Sequence, residues 1–424
     1  MPNKNYLFLL LLFVSSVGIN AQNNTSSPYS QFGLGERQYN PFLQNSGMGE
    51  LGTGIRLSNG FNASNPATYN NSELVNYEIG VFGTFAQQSD GVNYQNTVNA
   101  GLSHFAICLP LGKKGGLSFG LLPYSRLGYE ISEEVVVPEY GKSTTSYLGD
   151  GDISQFYVGS ALKLGSALSI GANVSYYFGS LNRSRTSEFD TSSNILHLRS
   201  VDKDAIGDLS FNYGLQYVIE KGEGKALKKY VFGYSGALKS GLKTSKTVYT
   251  ERYYKSGSVD ILVDSIYINI SDDQTVTLPS YHSIGFSYEN KKIIGGFDFS
   301  LINWAEVEDS DNSKIKLQNT YRVAAGMQTK GQLQRTGNYL KSIVTRVGVG
   351  YSPGYLNVNN FLISEKYATI GFGFPLIKSA SFLNLGVKYS QVGTVKNNLV
   401  KEDIISVSFG LTISDKWFVK RQYD

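Results

Sequence analysis

The chain has 424 residues, of which 46 are glycine, 30 tyrosine and 23 phenylalanine, and its formal net charge at neutral pH is +4. Acidic and basic residues are mixed along it, so the charge does not indicate nucleic acid as a partner. The single cysteine, Cys108, excludes an internal disulfide. Beyond the N-terminus, no segment has the roughly 18 consecutive apolar residues that are typical of a transmembrane helix.

Residues 1–21 are typical of a secretory signal peptide. Lys4 precedes an apolar run over residues 6–14, and small residues then lead to a predicted cleavage site after Ala21. An uncleaved anchor helix is the alternative, but the run is too short to span a bilayer comfortably. We therefore expect export of the protein, and the absence of a cysteine near the cleavage site argues against a lipid anchor.

Residues 22–72 alternate poorly and are rich in asparagine, serine and glycine. Such a composition is compatible with disorder, but Phe42, Leu43 and Phe61 are among several apolar residues that could pack. A barrel with as many strands as the following region indicates has a lumen too wide for wall side chains alone to fill. We therefore predict that residues 22–72 form an N-terminal hatch, or plug.

Residues 73–414 alternate between an apolar face and a face of small or polar residues. In residues 404–413, for example, Ile405, Phe409 and Ile413 share one face, and serine, glycine and threonine occupy the other. Alternation over about ten residues is the signature of a transmembrane β-strand, whereas strands of a soluble sandwich are usually shorter. Fourteen such segments occur, and tight turns alternate with longer connections at 133–147, 185–203 and 244–275.

The predicted fold is therefore all-β: an antiparallel transmembrane β-barrel of about 14 strands, whose lumen is plugged by the N-terminal segment. The tight turns are expected on the periplasmic side and the longer connections outside. Residues 415–424 follow the last strand as a periplasmic tail, in which Trp417 and Phe418 are expected at the membrane interface.

A proline interrupts the third predicted strand, 115–132. Pro123 has no N–H and removes a ladder hydrogen bond, so a central strand should not tolerate it. Gly120 and Gly128 flank it. An opening in the wall would explain the proline, and the alternative is a proline at a bulge near the rim.

Three stretches together resemble the FadL family of outer-membrane transporters for hydrophobic compounds. They are "NSGMGELGTG…NASNPATY" from Asn45 to Tyr69, "YRVAAGM" from Tyr321 to Met327, and "TRVGVGYSPG" from Thr345 to Gly354. The resemblance implies a 14-stranded barrel with an N-terminal hatch that contains a short motif, Asn65, Pro66 and Ala67. It also implies that a kink in the third strand opens the wall sideways, which assigns this opening to Gly120, Pro123 and Gly128.

Alternation places four basic side chains in the lumen: Arg126, Arg322, Arg346 and Lys388. One hypothesis is that they bind a ligand carboxylate while apolar side chains line the pocket: Phe42, Leu43, Phe61 and Phe382. The alternative is that they form salt bridges with acids of the plug, such as Glu36 and Glu50, and hold it in place.

Enzyme chemistry has little support in the sequence. The three histidines, His104, His197 and His282, lie in different segments without a nucleophile motif nearby. The acidic runs 150–152 and 308–312 lack the spacing of an EF-hand, and we interpret them as solvated outer-loop residues. We expect no catalytic residue, no metal site and no cofactor.

The predicted function is passive uptake of hydrophobic compounds, such as long-chain fatty acids, through the outer membrane of a Gram-negative bacterium. The expected partners are outer-membrane lipid and a hydrophobic small-molecule ligand. The alternative is a non-transporting FadL-like barrel that serves as a subunit of an outer-membrane complex for protein secretion or barrel assembly. In that case the outer connection 244–275, which alternates and is expected to form a hairpin, would dock protein partners. An unselective porin fits less well, because of the plug.

Overall fold

The structure is a computed structural model that describes residues 25–39, 42–57, 60–138, 140–190, 195–257, 259–307, 315–331, 339–377 and 379–416. The expected signal peptide, Trp417, Phe418 and the acidic run 308–312 lie outside the described residues. None of the helices in these ranges is long and apolar enough to cross a membrane.

The described residues form twenty strands, most of them long. Their bounds are β1 Glu36–Arg37, β2 Val75–Ser89, β3 Tyr94–Leu111, β4 Gly115–Val137, β5 Gly141–Leu164, β6 Leu168–Phe189, β7 His197–Lys221, β8 Lys228–Ala237, β9 Ser240–Ser256, β10 Val259–Leu278, β11 Tyr281–Glu289, β12 Ile293–Ile302, β13 Ile315–Leu317, β14 Thr320–Thr329, β15 Val344–Ser352, β16 Leu356–Val358, β17 Phe361–Leu362, β18 Glu365–Pro375, β19 Phe382–Gly393 and β20 Lys401–Asp415.

Neighbouring strands pair antiparallel and close into a 14-strand barrel, as the alternation predicts. The closing ladder joins β2 to β20 and runs from Val75↔Asp415 to Ser89↔Lys401. The outer face is apolar along each strand; in β20, for example, Ile405, Phe409 and Ile413 are exposed. Small and polar residues face inward, which is the pattern of a membrane barrel.

One side of the wall is much taller than the other. Strand β9 continues upward from β8 along residues 197–206 of β7 and pairs with β10, so the expected hairpin in 244–275 is present. The outer connections expected at 133–147 and 185–203 are shorter than predicted. Strands β4 and β5 are paired as far as Val137↔Gly141, and β6 reaches Phe189. Above the membrane a strand is wet on both faces, so its sequence loses the alternation that revealed the lower half.

The described residues of 25–72, which we call the N-terminal segment, lie inside the barrel. Apart from β1, the segment contains one short helix, α1 (Leu43–Ser46), and two 3₁₀ turns, Pro28–Gln31 and Pro66–Asn71. It contacts inward-facing residues on β2, β4, β6, β7, β8, β11, β14, β15, β18 and β20. Contact with strands around the whole circumference places the segment within the lumen.

Wall glycines let the backbone of the N-terminal segment approach the barrel closely. An added Cβ on Gly233 would meet the backbone of Thr53, and one on Gly348 would meet Met48 and Gly49 closer than real Cβ atoms come. The same holds around the ring for further inward-facing glycines: Gly116, Gly171, Gly285, Gly326 and Gly371. At these glycines the main chain of the N-terminal segment occupies the space that a wall side chain would otherwise fill.

The substitution Gly348→Val is therefore expected to displace the N-terminal segment and leave the barrel intact. Valine suits a strand, but its side chain would overlap the main chain of Gly49. In planar bilayers this variant should conduct ions more than the parent protein, and its N-terminal segment should become sensitive to protease.

Gly83→Val is the matched control, because a Cβ on that wall glycine of β2 would meet no atom. Equal conductance and protease resistance in both variants would show that these glycines do not seat the segment.

Candidate functional site in the barrel lumen

A wall carboxylate binds three consecutive amides of the N-terminal segment. Asp298, on β12, accepts hydrogen bonds from the N–H groups of Gly52 at 2.7 Å, Thr53 at 2.8 Å and Gly54 at 3.2 Å. Sequence reasoning missed this residue. Its signal is that Asp298 is the only charged residue in the β12 sequence "IIGGFDFSLI", and a charge facing a barrel interior needs partners there.

The motif Asn65, Pro66 and Ala67 is buried and turns the segment against the wall. The Asn65 side chain accepts from the Ala67 N–H at 3.1 Å and so caps the following 3₁₀ turn. Its Nδ2 donates to the carbonyl oxygen of Thr53 at 2.8 Å and to that of Leu215, on β7, at 3.2 Å. The motif therefore ties two parts of the segment together and to the barrel.

Two of the four predicted lumen cations contact one acid of the segment. Glu50 forms ion pairs with Arg322 and, at 3.0 Å, with Lys388. Lys388 also pairs with Glu365 at 2.9 Å, and the Tyr367 hydroxyl joins the group as a partner of Arg322. These side chains form one network, buried at Glu50 and Arg322 and partly exposed at Lys388 and Glu365, that links β14, β18 and β19 to the segment.

The other two cations lie elsewhere. Arg346 donates to the side-chain oxygens of Gln328 at 3.1 Å and Asn384 at 3.0 Å. Arg126 donates to the backbone oxygen of Leu102 at 3.3 Å and lies 4.0 Å from the ring centroid of Phe82. The structure therefore does not bring the four predicted cations to one place.

A further arginine, Arg56, holds the segment near the end of the barrel at which the short connection between β7 and β8 lies. It donates to Asn70 at 2.6 Å and Asn71 at 2.8 Å within the segment, and to Gln216 at 3.0 Å on β7. Burial lowers the pKa of Arg56 to about 10. The partners of Arg56 are neutral oxygens, and a pKa of about 10 leaves its guanidinium charged at neutral pH.

The predicted apolar pocket residues pack within the segment or against the wall. Phe42 contacts Phe61 edge-on at 5.4 Å between ring centroids and lies 4.8 Å from the His104 ring. Leu43 fills the space beside Gly410. Phe382 is at the start of β19, opposite Thr412, and is only partly buried.

The three histidines stand apart. The Nδ1 of His282 lies 2.8 Å from the Tyr234 hydroxyl, and the Nδ1 of His197 accepts from the Phe189 amide at 3.2 Å. His104 lies 3.4 Å from Glu78, and both are buried. Among the described residues, no group of three or more His, Cys, Asp or Glu side chains could hold a metal ion.

The barrel wall is interrupted beside Pro123, in the third barrel strand. In the described chain, β3 and β4 pair only from Leu111↔Gly115 to Phe105↔Leu121, although β3 continues to Tyr94 in its ladder with β2. On its other edge β4 stays paired with β5, with a register shift between Pro123 and Ser125. The two strands therefore separate two residues before Pro123.

The N-terminal segment lines this interruption from inside. Strand β1 pairs with β4 through Glu36↔Arg126 and Arg37↔Ser125, where β3 would otherwise pair. Below the interruption, Gly120 is still in the ladder. Above it, the Gly128 amide donates to the Ser30 hydroxyl at 3.1 Å. Part of the free edge of β4 is thus satisfied by the segment.

Described residues of the lumen line two cavities. The first, of 260 Å³, lies between the segment and β2, β3, β18, β19 and β20, and Arg126 and Lys388 line it. The second, of 170 Å³, lies on the opposite side, and Phe42 and Arg322 line it. Both reach five residues: Arg37, Gln38, Tyr39, Glu50 and Pro123. Leu43, Phe61, Arg346 and Phe382 line neither.

The fold is that of solved hydrocarbon channels. The toluene transporter TodX of P. putida aligns with a TM-score of 0.55 at 15% identity, over 89% of this chain and 98% of its own. The Ralstonia pickettii toluene transporter TbuX has a TM-score of 0.55 at 11% identity, over 88% and 98%. A Pseudomonas aeruginosa FadL homologue has 0.53 at 11%, over 90% and 99%. The resemblance to the FadL family is thus confirmed in the fold.

The closed barrel with its apolar outer face identifies an outer-membrane protein of a Gram-negative bacterium. No curated protein matches the chain by sequence. One family model does, and it spans nearly the whole chain, residues 3–424. By this match the chain belongs to the BamG family.

Proposed function

We propose that the protein is a passive channel for hydrophobic compounds, such as long-chain fatty acids, and that ligand leaves sideways beside Pro123. One observation carries the proposal: the β3–β4 ladder ends at Phe105↔Leu121, and the larger lumen cavity extends to Pro123. A break in the wall leaves backbone groups without partners in hydrocarbon, which is costly. A ligand route from the lumen to the membrane would explain why the wall contains this break.

The larger cavity suits a ligand that is mostly apolar. Phe82, Val387 and Ile404 contribute apolar surface from three strands, and hydroxyl groups and charged side chains such as Glu365 and Glu402 lie among them. Burial of an acyl chain stabilises the bound state by about 0.8 kcal/mol per CH₂. The solved hydrocarbon channels with this fold support the same class of cargo.

For the predicted cations we propose different roles. The ion pairs of Arg322 and Lys388 with Glu50 support the view that these two hold the N-terminal segment. A ligand carboxylate would have to displace Glu50 from both. Arg126 lines the larger cavity beside the break, so it remains the candidate among the four for contact with cargo.

Cross-linking the break closed should stop lateral release. In a Cys108→Ala background, Ser103→Cys and Arg126→Cys would place thiols on β3 and β4, on the same cavity. Bridging them with a short, reducible linker should lower oleate uptake by cells several-fold, and reduction should restore it. The same variant is measured cross-linked and reduced, so any effect of losing Arg126 on oleate uptake is present in both measurements.

The matched control is Ser132→Cys with Ser146→Cys, whose hydroxyl oxygens are 3.3 Å apart where β4 and β5 pair continuously. Their disulfide should leave uptake unchanged. Undiminished uptake after complete cross-linking across the break would exclude this exit.

A non-transporting subunit of an outer-membrane complex for protein secretion or barrel assembly is the second candidate. The chain belongs to a family, BamG, that is not named for transport. In addition, β10 pairs with β9 on one edge, and no described strand pairs with its other edge. Ile266, Ile268 and Ile270 of β10 are 56%, 62% and 64% exposed, so this edge could accept a partner strand.

The second candidate predicts that Ile268→Glu with Ile270→Glu removes a protein partner. After gentle detergent extraction from the native outer membrane, native mass spectrometry should detect a stoichiometric partner with the parent protein and none with this variant. The control is Val136→Glu, at the top of β4, where Val136 is 76% exposed. A lone parent barrel carrying fatty acid would instead favour the channel.

A further inference from the structure

Lysines are concentrated on one arc of the barrel, at the end where the short connection between β7 and β8 lies. This connection is next to the one between β11 and β12, because β8 pairs with β11, and the end of β14 follows because β12 pairs with β14. Six lysines of this arc, which we call the basic cluster, are Lys221, Lys228, Lys229, Lys291, Lys292 and Lys330. Two of them, Lys229 and Lys330, are half-buried, and the other four are exposed.

The acids of the same arc do not neutralise the basic cluster. Lys229 forms an ion pair with Glu220 at 3.0 Å, and Lys330 forms one with Glu289. The four exposed lysines form no ion pair with a described residue. Glu223 is the only further acid in residues 220–229 and 289–292. Positive charge is therefore in excess on this surface.

A third cavity, of 200 Å³, lies within the basic cluster and apart from the two cavities of the lumen. Three lysines line it, Lys229, Lys291 and Lys330, and Leu227 adds apolar surface. Glu289 is the one acid among its described lining residues, and Lys330 already pairs with it. The cavity is therefore large enough for a small head group and carries a net positive charge.

The turn that carries Lys291 is held in a defined conformation. The Asn290 side chain accepts hydrogen bonds from the amides of Lys292 at 2.7 Å and Ile293 at 3.0 Å, as in an Asx turn. The Lys330 amide donates to the carbonyl oxygen of Lys292 at 2.7 Å and ties the end of β14 to the same turn. The backbone that presents the lysines to the cavity is thus fixed before any ligand binds.

Aromatic side chains on the outer face show where the membrane surface lies beside the basic cluster. Tyr230 of β8 is opposite Tyr288 of β11, and their ring centroids are 5.4 Å apart. The next outward pair, Phe232 and Phe286, has centroids 5.1 Å apart, and Phe232 is exposed. Tyrosine is typical of the membrane–water interface, at the edge of the apolar band. Because Lys229 directly precedes Tyr230 in β8, the basic cluster lies at the level of lipid head groups.

We propose that the basic cluster binds the phosphate head group of an anionic phospholipid in the leaflet that surrounds this end of the barrel. Short connections of outer-membrane barrels lie on the periplasmic side, so this is the periplasmic leaflet. Lysine binds phosphate as a point charge, and clusters of basic residues beside a membrane-spanning segment attract anionic lipids. The acyl chains of the lipid would lie along Phe232 and Phe286 on the outer face.

A lipid suits this surface better than a soluble acidic protein does. Residues 290–292 form a connection of only three residues, so Lys291 and Lys292 remain close to the membrane surface and do not project into the periplasm. The inference goes beyond the proposed function, because a lipid at this rim does not enter the lumen. It applies equally to a channel and to a subunit of a complex.

Native mass spectrometry of the full-length protein in non-ionic detergent tests the site by lipid titration. The probes are phosphatidylglycerol, which is anionic, and phosphatidylcholine with the same acyl chains, which has no net charge. The parent protein should bind phosphatidylglycerol more tightly. Lys291→Gln with Lys292→Gln should weaken that binding about tenfold and leave phosphatidylcholine unchanged. Lys291→Arg with Lys292→Arg should keep the preference, because the charge is retained.

Lys113→Gln with Lys114→Gln is the matched control. These two lysines are also exposed in a three-residue connection, between β3 and β4, but they do not line the third cavity. The control should bind phosphatidylglycerol as the parent protein does, and heat-modifiable mobility in gels verifies that each variant is folded.

Three results would overturn the proposal. The first is equal binding of the two lipids by the parent protein, and the second is an equal loss in the control, which would indicate a general effect of charge. The third is undiminished phosphatidylglycerol binding by the folded Lys291→Gln, Lys292→Gln variant. If that variant also loses a soluble protein that co-purifies with the parent, the basic cluster is a protein contact instead.

Discussion

The width of a 14-strand barrel is the constraint on which the rest of this structure depends. Wall side chains cannot fill such a lumen, so a polypeptide segment occupies it and brings its own backbone polar groups, each of which needs a partner. The wall supplies them: the Asp298 carboxylate takes three amides in a row. Glycines such as Gly233 and Gly348 leave room for the main chain to come close. Side chains on the inner wall are thus selected for small size and hydrogen bonding.

The same rule of satisfied backbone groups explains how the wall tolerates its interruption. Above Leu121 the edge of β4 loses β3, and in hydrocarbon a bare edge is unfavourable. Pro123 removes one donor from that region, and β1 pairs with the residues that follow. Arg126 reaches the Leu102 carbonyl across the gap. The break and the N-terminal segment are therefore one unit, and a change in the segment alters the wall.

The barrel could be predicted from the sequence because alternation is local, and each strand carries it independently. The fourteen segments and the position of Pro123 in the third strand follow from that pattern alone. The upper parts of β4 to β7 could not be predicted from the sequence, because strands outside the membrane need no apolar face. The partners of Asp298 and Glu50 are set by contacts between distant parts of the chain, and such contacts produce no periodic pattern in the sequence.

The N-terminal segment is joined directly to β2, yet some of its contacts are with the last strand. The Ser27 hydroxyl donates to Glu402 at 2.8 Å and the Gln44 amide to Thr412 at 3.3 Å, across 375 and 368 residues of chain. Contacts of such separation form only when both ends of the chain meet. Because β20 also forms the seam with β2, docking of the segment and closure of the seam both require that the two ends of the chain meet. The filled lumen and the closed wall therefore depend on the same strand, β20.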